Sequence, residues 1–341
     1  MRLNKGVYLL NQKILPLSND RHPIHYDPGT DQLLELLCPY PELYERESAE
    51  HFIDTVIYDN EVSDNVSFYR LFDAIRQDCL LWFSMPYEVA RATIGDICSY
   101  IVKLLDQGYY VSFVADTFYC KNYVTYQKEH AEHAPILYGY DLQEQMFFAW
   151  DYFDFRIRTR QKVAFGDIQA SYKNGMFRSF PGEHVMLNVN VLCCEKIGNH
   201  TAKPICLPII RQKLENFLSS HPYSSSDGLY YGISFFDILI KRYQGNPLRV
   251  SLKHCHFIVA HMQFMLQRIG VLQKAQPHNM QKYEAVAEQL KVLLADVQRT
   301  EMRILKAQMT TGILGMDYGE RLGTFKQRYA EIVGAIVEIM G

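Results

Sequence analysis

A chain of 341 residues holds enough material for one large domain or two modest ones, each with a real core. Hydrophobic residues make up 48% and charged residues 21%, the composition of a folded soluble protein. A formal net charge of -3 removes any electrostatic ground for nucleic acid or an anionic membrane as partner.

In chain order, "GVYLLNQKILPL" predicts a short strand or hairpin ahead of the turn-rich "SNDRHPIHYDPGTD". The amphipathic "TDQLLELL" predicts a helix capped by Thr30 or Asp31. Helices are expected around "FYRLFDAIRQDCLLWF" and from Tyr87 to Leu105. The texture then changes. "GYYVSFVAD" (108 to 116) is aromatic and β-branched behind a glycine, which suits a buried strand. "APILYGYD" and "QMFFAWDYFD" read as the arms of a hairpin joined at "DLQE". "KVAFGDIQASY" reads as a strand end running into a helix, and "EHVMLNVNVLCCEK" as a further strand.

From Pro208 onward a helical region is expected, interrupted by the Ser-rich "SSHPYSSSDG". Apolar residues at 283, 286, 290, 293, 297 and 304 form a helical stripe. "GTFKQRYAEIVGAIVEIM" repeats the pattern behind a glycine-punctuated connector, giving an antiparallel helical pair. The fold class is α+β, with an antiparallel sheet followed by a mainly helical C-terminal region.

No apolar stretch reaches the ~20 residues of a membrane span. The N-terminal segment lacks a signal-peptide pattern, so a cytoplasmic location is expected. The eight cysteines (Cys38, Cys79, Cys98, Cys120, Cys193, Cys194, Cys206, Cys255) include no Cys-x-x-Cys pair and read as reduced thiols. No glycine pattern after a strand supports a nucleotide site. His254, His256 and His261 have no carboxylate at helical spacing and read as structural.

The chemistry concentrates in "EHAEHAPILYGYD". A catalytic imidazole needs a carboxylate to fix its tautomer, and a hairpin can supply both. His133 opens one arm, Asp151 closes the other, and the two are nearly equidistant from a turn near Gln143. On spacing alone, a strand-start histidine and a turn-forming aspartate are the commoner account of these residues. His130 reads as a surface or substrate-contacting residue; no third ligand is required by the spacing, so no metal is expected. Asp116 reads either as a loop cap or as a carboxylate gripping a substrate amine.

"HAPILYGYD" followed by "FFAWD" looks like the His and Asp motifs of papain-like cysteine peptidases of the bacteriocin-processing type. The wider "VSFVADTFYCKNYVTYQKEHAEHAPILYGYD", with Asp116, Tyr119, Tyr123, His130, His133 and Gly139-Tyr140-Asp141, resembles the N-terminal domain of the butirosin biosynthesis protein H family. "LYYGISFFDILIKRY" and the late helices are similar to the region that often follows that domain; only 111 to 154 is specific. The resemblance implies a papain-like domain over 1–197 and a helical region over 198–341. It implies transfer of an acyl group from a carrier-protein thioester to a small-molecule amine, or a related condensing or cyclising step, in the assembly of antibiotics and other specialised metabolites. An acyl or peptidyl carrier protein would be the partner. Its phosphopantetheine arm would bring the substrate, and no cofactor of the chain's own is implied. His133 would be the base and Asp151 its orienter, with His130, Asp116, Tyr119 and Tyr126 lining the pocket.

The family's nucleophilic cysteine is expected at the start of the first long helix, where the helix N-terminus would favour a thiolate. Here "HPIHYDPGTDQLLELL" contains none, and Cys38 follows the helix. Three consequences stay open: a His/Asp base without a covalent intermediate, a new part for Thr30 or Asp27, or a fold kept for binding a carrier protein or pathway enzyme. A cysteine peptidase with a relocated thiol, Cys38 or Cys120, is the remaining alternative.

Overall fold

The structure, a computed structural model, describes residues 11–18, 28–58, 66–68, 85, 87–154, 157–176, 190–193, 204–223, 228–244, 251–310 and 317–341. It is mixed α and β, with antiparallel sheets and a helical C-terminal region. The chain divides into two compact units. The first comprises Met1–Asn19 with Arg76–Thr201, and the second Asp20–Ile75 with Ala202–Gly341.

The first unit is built on an antiparallel sheet. Among the described residues its strands are β1 (Gln12–Ile14), β4 (Tyr109–Ser112), β7 (Ile136–Asp141), β8 (Met146–Asp151), β9 (Thr159–Ala164) and β10 (Asn190–Cys193). They run in the order β10-β4-β7-β8-β9, with β1 beside β7. Strand β7 is buried from Ile136 to Tyr140, which is why its sequence is a continuous apolar run rather than an alternation. Its Gly139 is demanded by packing: a Cβ there would stand 2.4 Å from the Lys13 carbonyl oxygen of β1. The register with β8 slips between Leu137 and Gly139, a bulge beside that close approach.

Two helices were expected as one between Tyr87 and Leu105. The chain instead forms α3 (Tyr87–Thr93) and α4 (Ile97–Asp106), separated where Gly95 breaks the pattern and Asp96 caps the second. The Asp96 carboxylate accepts from the Ser99 amide at 3.1 Å and its hydroxyl at 2.6 Å. Helix α4 buries Ile97, Ile101 and Leu105 and packs on β4. Gly108, at φ +85°, turns the chain from α4 into β4. Helix α5 (Phe165–Asn174) follows β9 directly, as the sequence indicated.

The second unit holds α1 (Pro28–Leu37), α2 (Pro41–His51), β2 (Thr55–Tyr58), β3 (Val66–Phe68), α6 (Leu207–Ser219), β11 (Leu229–Tyr231), α7 (Phe235–Tyr243), α8 (Leu252–Ala275), α9 (Met280–Met309) and α10 (Tyr318–Met340). Residues 20–75, assigned from sequence to the sheet domain of 1–197, therefore group with the C-terminal helices. The physical reason lies in long-range contacts. The buried Arg268 guanidinium on α8 donates to the carbonyls of Ala49 (2.7 Å) and Phe52 (2.9 Å) at the α2 C-terminus. Those carbonyls are the negative end of the helix dipole, a suitable seat for a cation. Thr55 Oγ1 donates to the Gly232 carbonyl at 2.8 Å, where β2 pairs with β11.

Helix α1 begins at Pro28, so Thr30 and Asp31 lie within its first turn rather than at its cap. Both are buried. Phe68, expected to open a helix, ends β3; residues 69–84 of that expected helix, Cys79 and Asp27 lie outside the described residues. Strands β2, β3 and β11 were not expected at all. The stripe at 283, 286, 290, 293, 297 and 304 is the buried face of α9, which packs on α8 and α10. His254 and His261 are buried, but His256 meets a carboxylate after all: Glu301 of α9 lies 2.7 Å from its Nδ1. That contact crosses between helices, so spacing within one helix could not show it.

Candidate functional site

The β7–β8 hairpin places Asp141 opposite Met146 and Ile136 opposite Trp150. Asp141 closes its turn by accepting from the amides of Gln143 (3.0 Å) and Glu144 (3.1 Å). The Gly-Tyr-Asp motif is thus a packing and turn element. At the other end, the chain leading into β7 forms β6 (Glu132–His133), paired with β5 (Ala115–Asp116). Flanking bonds from Phe113 N to Pro135 O (3.1 Å) and Thr117 N to Ala131 O (2.8 Å) continue this ladder.

Register fixes which side chains share a face. Ala115 stands opposite His133, and Asp116 opposite Glu132. Successive residues of a strand point to opposite faces, so His133 and Asp116 leave the ladder on opposite sides. His130, which bonds Asp116, belongs to the Asp116 side. Two separate histidine–aspartate pairs result.

In the first pair, His133 Nδ1 lies 2.6 Å from Asp151 Oδ2. The Asp151 side chain is 2% exposed and the imidazole 24%. An ionised carboxylate only accepts, so Nδ1 is the donor in this contact. The same Oδ2 accepts a hydrogen bond from the Tyr123 hydroxyl. Burial pushes the Tyr123 phenol well above its usual range, and the Asp151 charge pushes it further, so it stays a donor. The Tyr152 ring stands edge-on to His133 at 6.4 Å, and the Arg158 guanidinium lies over Tyr152 at 4.7 Å and Trp150 at 4.2 Å.

In the second pair, His130 Nδ1 lies 2.7 Å from Asp116 Oδ2. Asp116 is fully buried and accepts from the Phe118 amide (3.1 Å) and the Met176 amide (2.9 Å) as well. Its own amide donates to Ser171 Oγ at 2.8 Å. The His130 ring stacks on Phe118 with centroids 4.3 Å apart and has Tyr119 at 6.0 Å. Tyr119 Oη donates to the Asn174 carbonyl.

These contacts divide the residues of the expected pocket between two faces of the ladder. Asp116 caps the short 3-10 turn Thr117–Tyr119 and steadies His130; its oxygens are engaged with protein donors, which leaves it unsuited to grip a substrate amine. His130 and Tyr119 share its face of the ladder, away from His133. Tyr126 is half-buried on the following turn, where its amide donates to the Tyr123 carbonyl, and it makes no described contact with either histidine. The residue that spacing did not single out is Tyr123; a hydroxyl reaching Asp151 from a turn has no periodic signal.

Four of the described thiols are not poised for attack. Burial, with smaller contributions from Asp167 and Asp116, pushes Cys120 up to about 12. Burial and then Glu35 push Cys38 up to about 12. Cys98 and Cys255 are raised to about 12 as well, burial first. Each is a neutral thiol near pH 7. Among the described residues no group of three or more His, Cys, Asp or Glu side chains is placed to hold a metal ion, and no helix is long and apolar enough to cross a membrane.

Neither a protein-family model nor a curated protein matches this sequence.

Proposed function

We propose that the chain is a papain-like acyl-transfer enzyme of specialised-metabolite assembly, with His133 as its general base. The His133–Asp151 contact carries the reading: a buried carboxylate holds Nδ1 of a quarter-exposed imidazole. A carrier protein brings the acyl group as a phosphopantetheine thioester, and a small-molecule amine accepts it. The amine nitrogen attacks the thioester carbon, and Nε2 takes the amine proton. As the C–S bond breaks, the imidazolium returns that proton to the departing sulfur. An amide and a free pantetheine thiol result, with no acyl-enzyme formed. Asp151 stabilises the transient imidazolium and fixes the ring.

The raised thiols favour this route over a cysteine peptidase with a relocated nucleophile. They equally suit a second reading, a non-catalytic module that binds a carrier protein or a pathway enzyme. The test incubates the protein with an acyl-loaded carrier protein and a panel of amines, following acyl loss by intact mass. The enzyme reading expects amine-dependent acyl loss that falls about 10²–10⁴-fold in His133→Gln. Unchanged turnover in that variant would reject the base. Carrier binding with no turnover for any amine supports the module.

A further inference from the structure

We propose that Tyr123 is a positioning residue that tunes His133 through Asp151. The proposal rests on the reading of His133 as base, but its test needs no substrate. Tyr123 Oη and His133 Nδ1 both donate to one oxygen, Asp151 Oδ2. A carboxylate oxygen that already accepts a phenol proton has less negative charge to offer an imidazolium. The hydroxyl therefore loosens the hold of Asp151 on the protonated form of His133, leaving more of the neutral base.

The phenol is built to stay in place. Tyr123 is 3% exposed, its ring packs on Phe153 at 4.9 Å, and its amide donates to the Cys120 carbonyl at 3.1 Å. The next residue is fixed too, since the Val124 amide donates to the Phe153 carbonyl at 3.2 Å. Asp151 sits at the end of β8, paired with Thr159, so both ends of the contact are anchored to the sheet unit. Among the described residues Tyr123 and His133 are the titratable groups that bond Asp151; Cys120 lies near Tyr123 on its turn, and the Arg158 guanidinium lies over Trp150 and Tyr152 beside the site.

The experiment titrates His133 by NMR in the full chain carrying Tyr123→Phe, and in one carrying 3,5-difluorotyrosine at position 123. Loss of the hydroxyl is expected to raise the His133 midpoint by roughly half a pH unit. The more acidic phenol, a stronger donor, is expected to lower it. The His130 midpoint stays constant in both and serves as the internal reference. A Tyr123 that merely fills space would lower the unfolding temperature of the phenylalanine variant and move neither midpoint. That outcome, or shifts of the same sign in both variants, overturns the proposal. The difluorotyrosine variant keeps the test decisive if the phenylalanine variant fails to fold. Failure of the acyl-transfer assay would leave this coupling intact, so the two readings fail separately.

Discussion

His130 and His133 are three residues apart, and each gives its Nδ1 to a buried aspartate, yet the two pairs are built for different work. Asp116 is saturated by two backbone amides besides its histidine. That makes it a knot tying the 3-10 turn, the second residue after α5 and the approach to β6. Asp151 accepts only side-chain donors in its described contacts, a phenol and an imidazole. A carboxylate held mainly by backbone amides fixes structure; one whose described donors are all side chains is suited to couple with proton transfer. His261 extends the contrast: fully buried, bonded to Tyr329 Oη at 2.7 Å and the Ile53 carbonyl at 3.0 Å, it is a core residue with no open nitrogen.

The sharpest way to break the comparison is by activity. Acyl transfer is expected to drop about 10²–10⁴-fold in His133→Gln and to stay within a few-fold of the parent in His130→Gln. Equal losses would merge the two pairs into one centre. Stability should not separate them in the same way. Asp116→Ala leaves two part-buried amides and an imidazole without their acceptor, and is expected to cost about 3 kcal/mol in urea unfolding. Asp151→Ala strands the buried Tyr123 hydroxyl and should cost a similar amount. Gly139→Ala, which drives a Cβ into the Lys13 carbonyl, is expected to cost about 2 kcal/mol through loss of β1 docking.

A smaller effect is expected from acid. Burial lowers His261 from 6.5 to about 3 in the fold, so the unfolded chain binds a proton the folded one refuses. This contribution to stability is complete above about 6.5 and is lost as the pH falls towards about 3. Urea midpoints at low and neutral pH should differ less in His261→Gln than in the parent chain.

How much of this could be read from residues alone depended on locality. The β7–β8 hairpin was legible because two apolar runs flank a polar turn, and pairing about that turn brings His133 towards Asp151. The buried stripe of α9 was legible for the same reason, a period within one element. Strands β2 and β11 were not: Thr55–Tyr58 follows helix α2 after a short link with no glycine or proline to mark it, and its partner Leu229–Tyr231 lies far along the chain. The Asp116–His130 pair was hidden too. Its two members meet across a ladder whose register no spacing rule supplied, and that same register separates them from His133.

The central claim is that Asp151 holds the proton of the neutral His133 ring on Nδ1, so that Nε2 is its basic nitrogen. Nitrogen-15 NMR of the imidazole near neutral pH tests it directly. The neutral ring is expected as the Nδ1–H form, with that preference weakened in Asp151→Ala. A neutral ring found with its proton on Nε2, or one indifferent to the loss of Asp151, would contradict the account.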